Sequence, residues 1–206
     1  MSMIFLHVTL FSESSSSVHH ACTLHLYHII TLDELELLPK QAWYHSIIQD
    51  WKIGEEGAKD SLNEFLTKGI SSYKSGRNIP SQKSVSRLSP RLHFGELSPN
   101  QIWHSAQQVL EPGDTNLDCF LSELGWREFS HHLHFHYPSL ANENLNAKFN
   151  TFSWRTSIES LKVWQKGMTG YPIVDAGMRE LYQTGYMHNR LRMVVGSFLV
   201  KNLLQH

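Results

Sequence analysis

Apolar residues along this chain recur mainly at helical spacing. In the stretch GEEGAKDSLNEFLTKGISSY, Ala58, Leu62, Phe65 and Leu66 fall at i, i+4, i+7 and i+8, which predicts a helix that stops near Gly69. The pattern returns from Ser98 to Val109, breaks at EPGD, and resumes from about Thr115 to Tyr137, with Asp114 or Thr115 as N-cap. The polar run KSGRNIPSQKSVSR reads as a loop, as does the stretch from Pro138 to Phe152. Pro172 suits the first turn of a helix running to Thr184, Gly185 suits the position just past its end, and a last helix is expected from about His188 onward. No internal repeat is visible, and the expected architecture is nearly all-α.

The faces of these helices differ. On the Thr115–Tyr137 helix, Leu117, Phe120, Leu121, Leu124 and Phe135 form an apolar stripe, while Glu123, Trp126, Arg127, Ser130 and His134 share another face. A buried stripe opposite a solvated face would explain this, but a Trp beside a carboxylate and a guanidinium also suits a flat, hydrogen-bonding ligand. On the last helix Asn189, Arg192, Met193 and Gly196 lie on one side, and Arg190, Ser197 and Lys201 on another. Gly196 would allow close approach to the backbone, by a ligand or by a crossing helix.

Composition narrows the class. Residues 1 to 30 combine a short β-prone run, a Ser tract and His19, His20, His25 and His28, and nothing there supports a domain; the organised body is expected over residues 31 to 206. The net charge of −1 argues against a globally basic nucleic-acid binder. The charge is uneven, however: Lys162, Lys166, Arg179, Arg190, Arg192 and Lys201 face only Asp175 and Glu180 in the last part of the chain. Cys22 and Cys119 are far apart, which excludes a disulfide framework and a CxxC zinc site and fits a reducing cytoplasm. No apolar run is long enough to span a membrane, and the apolar residues Met3 to Phe11 lack both a basic leader and a small-residue cleavage site.

Candidate chemistry is spread over several segments. The loop SVSRLSPRLHFGELSP, Ser84 to Pro99, gathers hydroxyls, backbone amides and Arg87 ahead of a helix and could wrap a phosphate. It contains neither GxGxxG nor GxxxxGK[ST]. His131, His132, His134 and His136 include one i, i+4 pair but no HExxH and no cysteine partner, so no metal site is expected. No GxSxG elbow is present.

Taken together, the segments SRLSPRLHFGELSP, ELGWREFSHHL, WQKGMTGYPIVDAGMREL and TGYMHNRLRMVVGSFLVKNLL resemble the FAD-binding helical domain of the cryptochrome/DNA photolyase family, in the family's order. The resemblance implies an FAD cofactor, damaged DNA as partner, and light-driven repair of cyclobutane pyrimidine dimers. It implies that Tyr73 and the run Val85, Ser86, Arg87, Leu88, Ser89 grip the FAD phosphates. Phe120, Glu123, Trp126 and Arg127 would lie between flavin and lesion, Trp126 stacking on a flipped pyrimidine pair and Glu123 hydrogen-bonding it. Asn189 and Met193 would face flavin and lesion, Arg192 would be a cofactor-side cation, and Arg77 and Arg190 would contact DNA phosphates. Trp154 occupies the place of the outer tryptophan of the family's electron-transfer chain.

The chain departs from the family's pattern at Val85, where a Thr is usual, and at Tyr186, where a Trp is common. The matching text stops at His206, before the family's Asp-containing flavin segment and inner tryptophans, and no antenna-pigment domain is recognisable. The expectation is therefore an incomplete all-α domain that retains FAD weakly by itself, from a family whose complete members act as monomers. A cryptochrome-type blue-light receptor without repair is the related alternative, and a helical DNA-interaction module without flavin is the non-enzymatic one.

Overall fold

The computed structural model describes residues 34–37 and 39–205. Contacts divide the chain into Met1–Lys40 and Gln41–His206. In the first unit the described residues are an exposed turn and its continuation, and the expected leader of residues 1–30 lies outside the described residues.

In the second unit the described residues form helices and no strand. They are α1 (His45–Gln49), α2 (Glu55–Lys68), α3 (Tyr73–Gly76), α4 (Ser89–His93), α5 (Pro99–Gln107), α6 (Thr115–His136), α7 (Ile158–Gln165), α8 (Pro172–Thr184) and α9 (Asn189–Ser197). A π-helical turn, Phe198–Asn202, follows α9 directly. Local chemistry sets several of these limits. Ser98 and Gln101 form a reciprocal capping box at the start of α5, worth about 1 kcal/mol. The Asp114 carboxylate accepts from the Asn116 and Leu117 amides at 2.7 and 3.2 Å at the start of α6. Gly185 ends α8 with φ of 68°, a left-handed conformation that costs glycine little.

Two apolar clusters organise the unit. The first takes Ala58, Leu62, Phe65 and Leu66 from α2, Ile102 and Ala106 from α5, and Leu117, Phe120, Leu121 and Leu124 from α6. Ile102 is 0% exposed, and burial of such a side chain contributes about 1.5–3 kcal/mol. The second joins Val174 and Met178 of α8 to Met187, Leu191 and Val195, with Trp164 and Phe198 packed against it. The Trp164 indole N–H donates to the Val195 carbonyl at 3.1 Å, tying α7 to α9.

Three expectations need correction. Phe135 continues the α6 stripe on a wheel but is 81% exposed, because the C-terminal half of this helix runs beyond the core. Gly196 is not a helix crossing point among the described residues, since a Cβ there would meet nothing within 4 Å, which leaves the ligand alternative. The segment Pro138 to Phe152 carries short 3-10 turns at Pro138–Ala141 and Ala147–Thr151.

Candidate functional site

Between the first apolar cluster and the α8–α9 connection lies a cleft of about 270 Å³. Every residue expected to hold a cofactor lines it except Trp126: Tyr73, Val85, Ser86, Arg87, Leu88, Ser89, Phe120, Glu123, Arg127, Asn189 and Arg192. Of the residues expected to meet substrate, Arg77, Glu123 and Asn189 line it as well.

One wall is aromatic and firmly backed. Tyr73 and Phe120 meet edge-to-face at 5.3 Å, and Phe65 packs on both from α2, at 5.6 and 4.8 Å. Burial pushes the Tyr73 phenol up to about 12 despite the nearby Arg77 cation. That wall remains neutral at physiological pH.

Beside it, Arg77 Nη1 donates to Glu123 Oε1 and also reaches Cys119 Sγ at 3.3 Å. Burial works against the guanidinium charge, but the hydrogen bonds to Glu123 and Cys119 outweigh it and hold the pKa above its ordinary value. Arg127 pairs with Glu128.

The opposite wall carries the cations. Leu88 is 2% exposed and anchors the loop into the first cluster, so its neighbours Ser86, Arg87 and Ser89 are presented to the cleft. The Arg87 guanidinium lies 4.7 Å from the Tyr186 ring centroid, and that of Arg192 lies 5.6 Å from the same ring. Arg192 Nε donates to the Met187 carbonyl at 2.9 Å. Among the described residues no ion pair includes Arg87 or Arg192, so these two positive charges line the cleft without being paired to a carboxylate.

The remaining expected residues sit around the cleft. Trp126 is 63% exposed, edge-to-face with Phe129 at 5.8 Å, one turn from Glu123 on α6. Arg190 donates through Nε and Nη2 to Asn78 Oδ1, at 2.9 and 2.6 Å, and Met193 Sδ lies 3.5 Å from Arg190 Nη1. Trp154 is half-buried against Phe152 at 4.5 Å and is not part of the cleft lining. His132 and His136 meet edge-on at 4.3 Å, and among the described residues no group of three or more His, Cys, Asp or Glu could hold a metal. No helix among them is long and apolar enough to cross a membrane.

Sequence reasoning did not assign Leu92, Ile102, Leu124, Tyr186 and Met187 to the cleft. Leu124 had a signal as part of the apolar stripe, and Tyr186 as a departure from a familiar pattern. The set as a whole fits a flavin dinucleotide. Ser86 and Ser89 offer hydroxyls, Arg87 and Arg192 offer charge to a diphosphate, and Phe120, Leu124 and Met187 offer apolar surface to a flat ring.

Comparison with known proteins gives the same direction. Residues 120–206 match the family model described as the FAD binding domain of DNA photolyase. The chain is 46% identical over 175 residues to the deoxyribodipyrimidine photo-lyase of Agrobacterium fabrum, covering 84% of this chain and 36% of that protein. It is 40% identical over 162 residues to Cryptochrome-2 of Arabidopsis thaliana, covering 75% of this chain and 26% of that protein. The structure superposes on a class III photolyase from Agrobacterium tumefaciens with a TM-score of 0.81 at 46% identity, covering 86% of this chain and 37% of that one. The chain thus spans about a third of the length of the curated relatives it matches.

Proposed function

Because this chain belongs to the cryptochrome/DNA photolyase family, we propose that its cleft binds FAD and serves light-driven repair of cyclobutane pyrimidine dimers in DNA. The observation that carries this reading is the meeting, in one cleft, of the Ser86 to Ser89 loop, the Phe120 and Glu123 face of α6, and Asn189 and Arg192 of α9, with Trp126 exposed beside it.

Bound FAD supplies the light-driven electron donor that opens the dimer's ring. The chain's own residues bind and orient. Arg87, Arg192 and the Ser86 and Ser89 hydroxyls hold the diphosphate, while Phe120 and Met187 exclude water from the flat ring. A dimer inside a duplex is out of reach, so it must be extruded, and its weakened stacking lowers that cost. Trp126 presents an open aromatic face to the extruded bases, and such stacking recovers about 1–3 kcal/mol per base. Glu123, fixed by Arg77, offers a carboxylate oxygen to the same bases. Arg190, in the first turn of α9, would meet the phosphates of the strand flanking the lesion, Met193 in the middle of α9 would face the lesion, and Trp154 would relay an electron from the surface. The reducing cytoplasm is the compartment that the sparse cysteines suit.

The test uses the chain with FAD and two oligonucleotides, one with a cyclobutane dimer and one undamaged. FAD should bind saturably, the dimer oligonucleotide should bind more tightly than the control in the dark, and Trp126→Ala should erase that preference while leaving FAD affinity unchanged. Equal binding of both oligonucleotides by the FAD-loaded wild type would refute the repair reading.

A further inference from the structure

Trp51 lies outside the cleft, in the short segment between α1 and α2, yet it touches Arg87, one of the two cleft cations that no ion pair holds among the described residues. The Arg87 guanidinium carbon is 4.6 Å from the Trp51 ring centroid and 4.7 Å from that of Tyr186, while the two rings are 6.3 Å apart at 56°. Those distances place the guanidinium in the corner made by two ring faces, not between parallel planes. Both rings attract it through their π electrons.

Arg87 has φ of 52°, a left-handed conformation disfavoured for a residue with a Cβ, next to the buried anchor Leu88, and the two rings add contacts that favour this placement of its side chain. Trp51 can do so because it is itself fixed. Its indole N–H donates to the Thr184 carbonyl at 3.0 Å, and nearby the Gly54 N–H donates to Glu96 Oε1 at 2.7 Å. The second cation near Trp51, Arg91 at 5.5 Å, is already paired with Glu96. Of the two cations near Trp51, only Arg87 is left for a ligand.

We propose that Trp51 is a positioning residue whose ring, together with that of Tyr186, holds the Arg87 guanidinium at the cleft wall as a fixed cation for the diphosphate of the flavin dinucleotide. The ligand named here rests on the FAD reading above. A purely packing role for Trp51 would be indifferent to ligand charge, and that separates the two accounts.

The test follows the Arg87 Nε–H in the chain labelled with 15N-arginine, the signal being assigned by its loss in Arg87→Lys. In the wild type the two rings should shift this proton upfield of solvent-exposed arginines, and inorganic pyrophosphate should move it downfield from there as its anionic oxygens accept from the guanidinium. Trp51→Leu should return it toward the exposed position and weaken FAD binding about tenfold, with riboflavin, which has no phosphate, unaffected. Trp51→Phe keeps the ring without the bond to Thr184 and should retain most of both effects. An unshifted Arg87 proton in the wild type, indifference to both pyrophosphate and FAD, or equal losses for FAD and riboflavin in Trp51→Leu would overturn the proposal. If Trp51→Leu does not fold, the wild-type titration and Trp51→Phe decide. A wild type in which pyrophosphate moves Arg87 but FAD does not bind overturns the flavin reading and the choice of ligand, while leaving the aromatic clamp standing.

Discussion

Arg77 and Glu123 are bound to each other across the cleft wall, Nη1 to Oε1 at 2.5 Å, with side chains 13% and 33% exposed. This joins the end of α3 to the middle of α6. The guanidinium expected to meet DNA phosphate also binds, through Nη1, the carboxylate expected to meet the lesion, so it sets where that carboxylate points.

Arg77→Ala should therefore destabilise the fold by about 1–2 kcal/mol, the range for a charged hydrogen bond discounted for the exposure of Glu123. Glu123→Gln should cost less, because the amide oxygen still accepts. Urea unfolding of both single variants and the double variant gives the part of the coupling that depends on the Glu123 charge; additive losses would mean that this charge adds nothing to the pair.

His188 should make stability fall in mild acid. It is 3% exposed, and its Nδ1 accepts from the Arg190 amide at 3.2 Å as the cap of α9. Burial depresses its pKa below 6.5, with Glu180 opposing and Arg190 and Arg77 adding to the shift. The unfolded chain thus takes up the proton first, and stability present above pH 6.5 is lost as pH falls toward the lower folded value. His188→Asn keeps a capping acceptor but cannot titrate. The wild type's advantage over this variant in urea midpoint should shrink between pH 7.5 and pH 5; a constant gap would remove His188 from the account.

Asp175 should act at lower pH. Its carboxylate accepts from the Thr169 hydroxyl and amide at 2.6 and 2.7 Å and from the Gly170 amide at 2.9 Å, fastening the preceding loop to the first turn of α8. These bonds, the Thr169 hydroxyl first, hold its pKa below 3.8, so their stabilisation is complete above that value and is lost as pH falls through the depressed one. Asp175→Asn should lower the thermal midpoint at pH 7, and the deficit should narrow below pH 3.8. A deficit unchanged down to pH 2 would assign the effect to shape and not to charge.

What could be read in advance was whatever neighbouring residues dictate. Pro172 and Gly185 bracket α8, and Asp114 starts α6, because fixed φ, left-handed freedom and a carboxylate acceptor act within one turn of chain. The α7 helix does begin at a local cap, Ser157 accepting from the Ser160 amide, but it is short and has no buried residue, so no apolar stripe marked it. The cleft residues were legible where they carried a motif, as in the Ser86 to Ser89 loop. At its back, Leu124 read as part of an ordinary apolar stripe, because a pocket floor and a core share the same apolar chemistry. Trp51 was invisible for another reason: its contacts are to Arg87, Tyr186 and Thr184, and only the folded chain brings these together.

Two glycines should respond oppositely to alanine. At Gly57 a Cβ would lie 1.8 Å from the Lys52 carbonyl oxygen, which is backbone and cannot swing away, so the segment carrying Trp51 and Lys52 would have to move. Gly57→Ala should cost about 3 kcal/mol or more and displace the Arg87 Nε–H signal in any fraction that folds. At Gly196, inside α9, a Cβ would meet nothing within 4 Å, so Gly196→Ala should stabilise the chain by about 0.5–1 kcal/mol through helix propensity and lost unfolded-state freedom. Denaturation midpoints of the two variants check both signs. If Gly196→Ala raises stability yet weakens binding of FAD or dimer-containing DNA, the glycine is kept for a ligand that approaches α9, because no described side chain occupies that space.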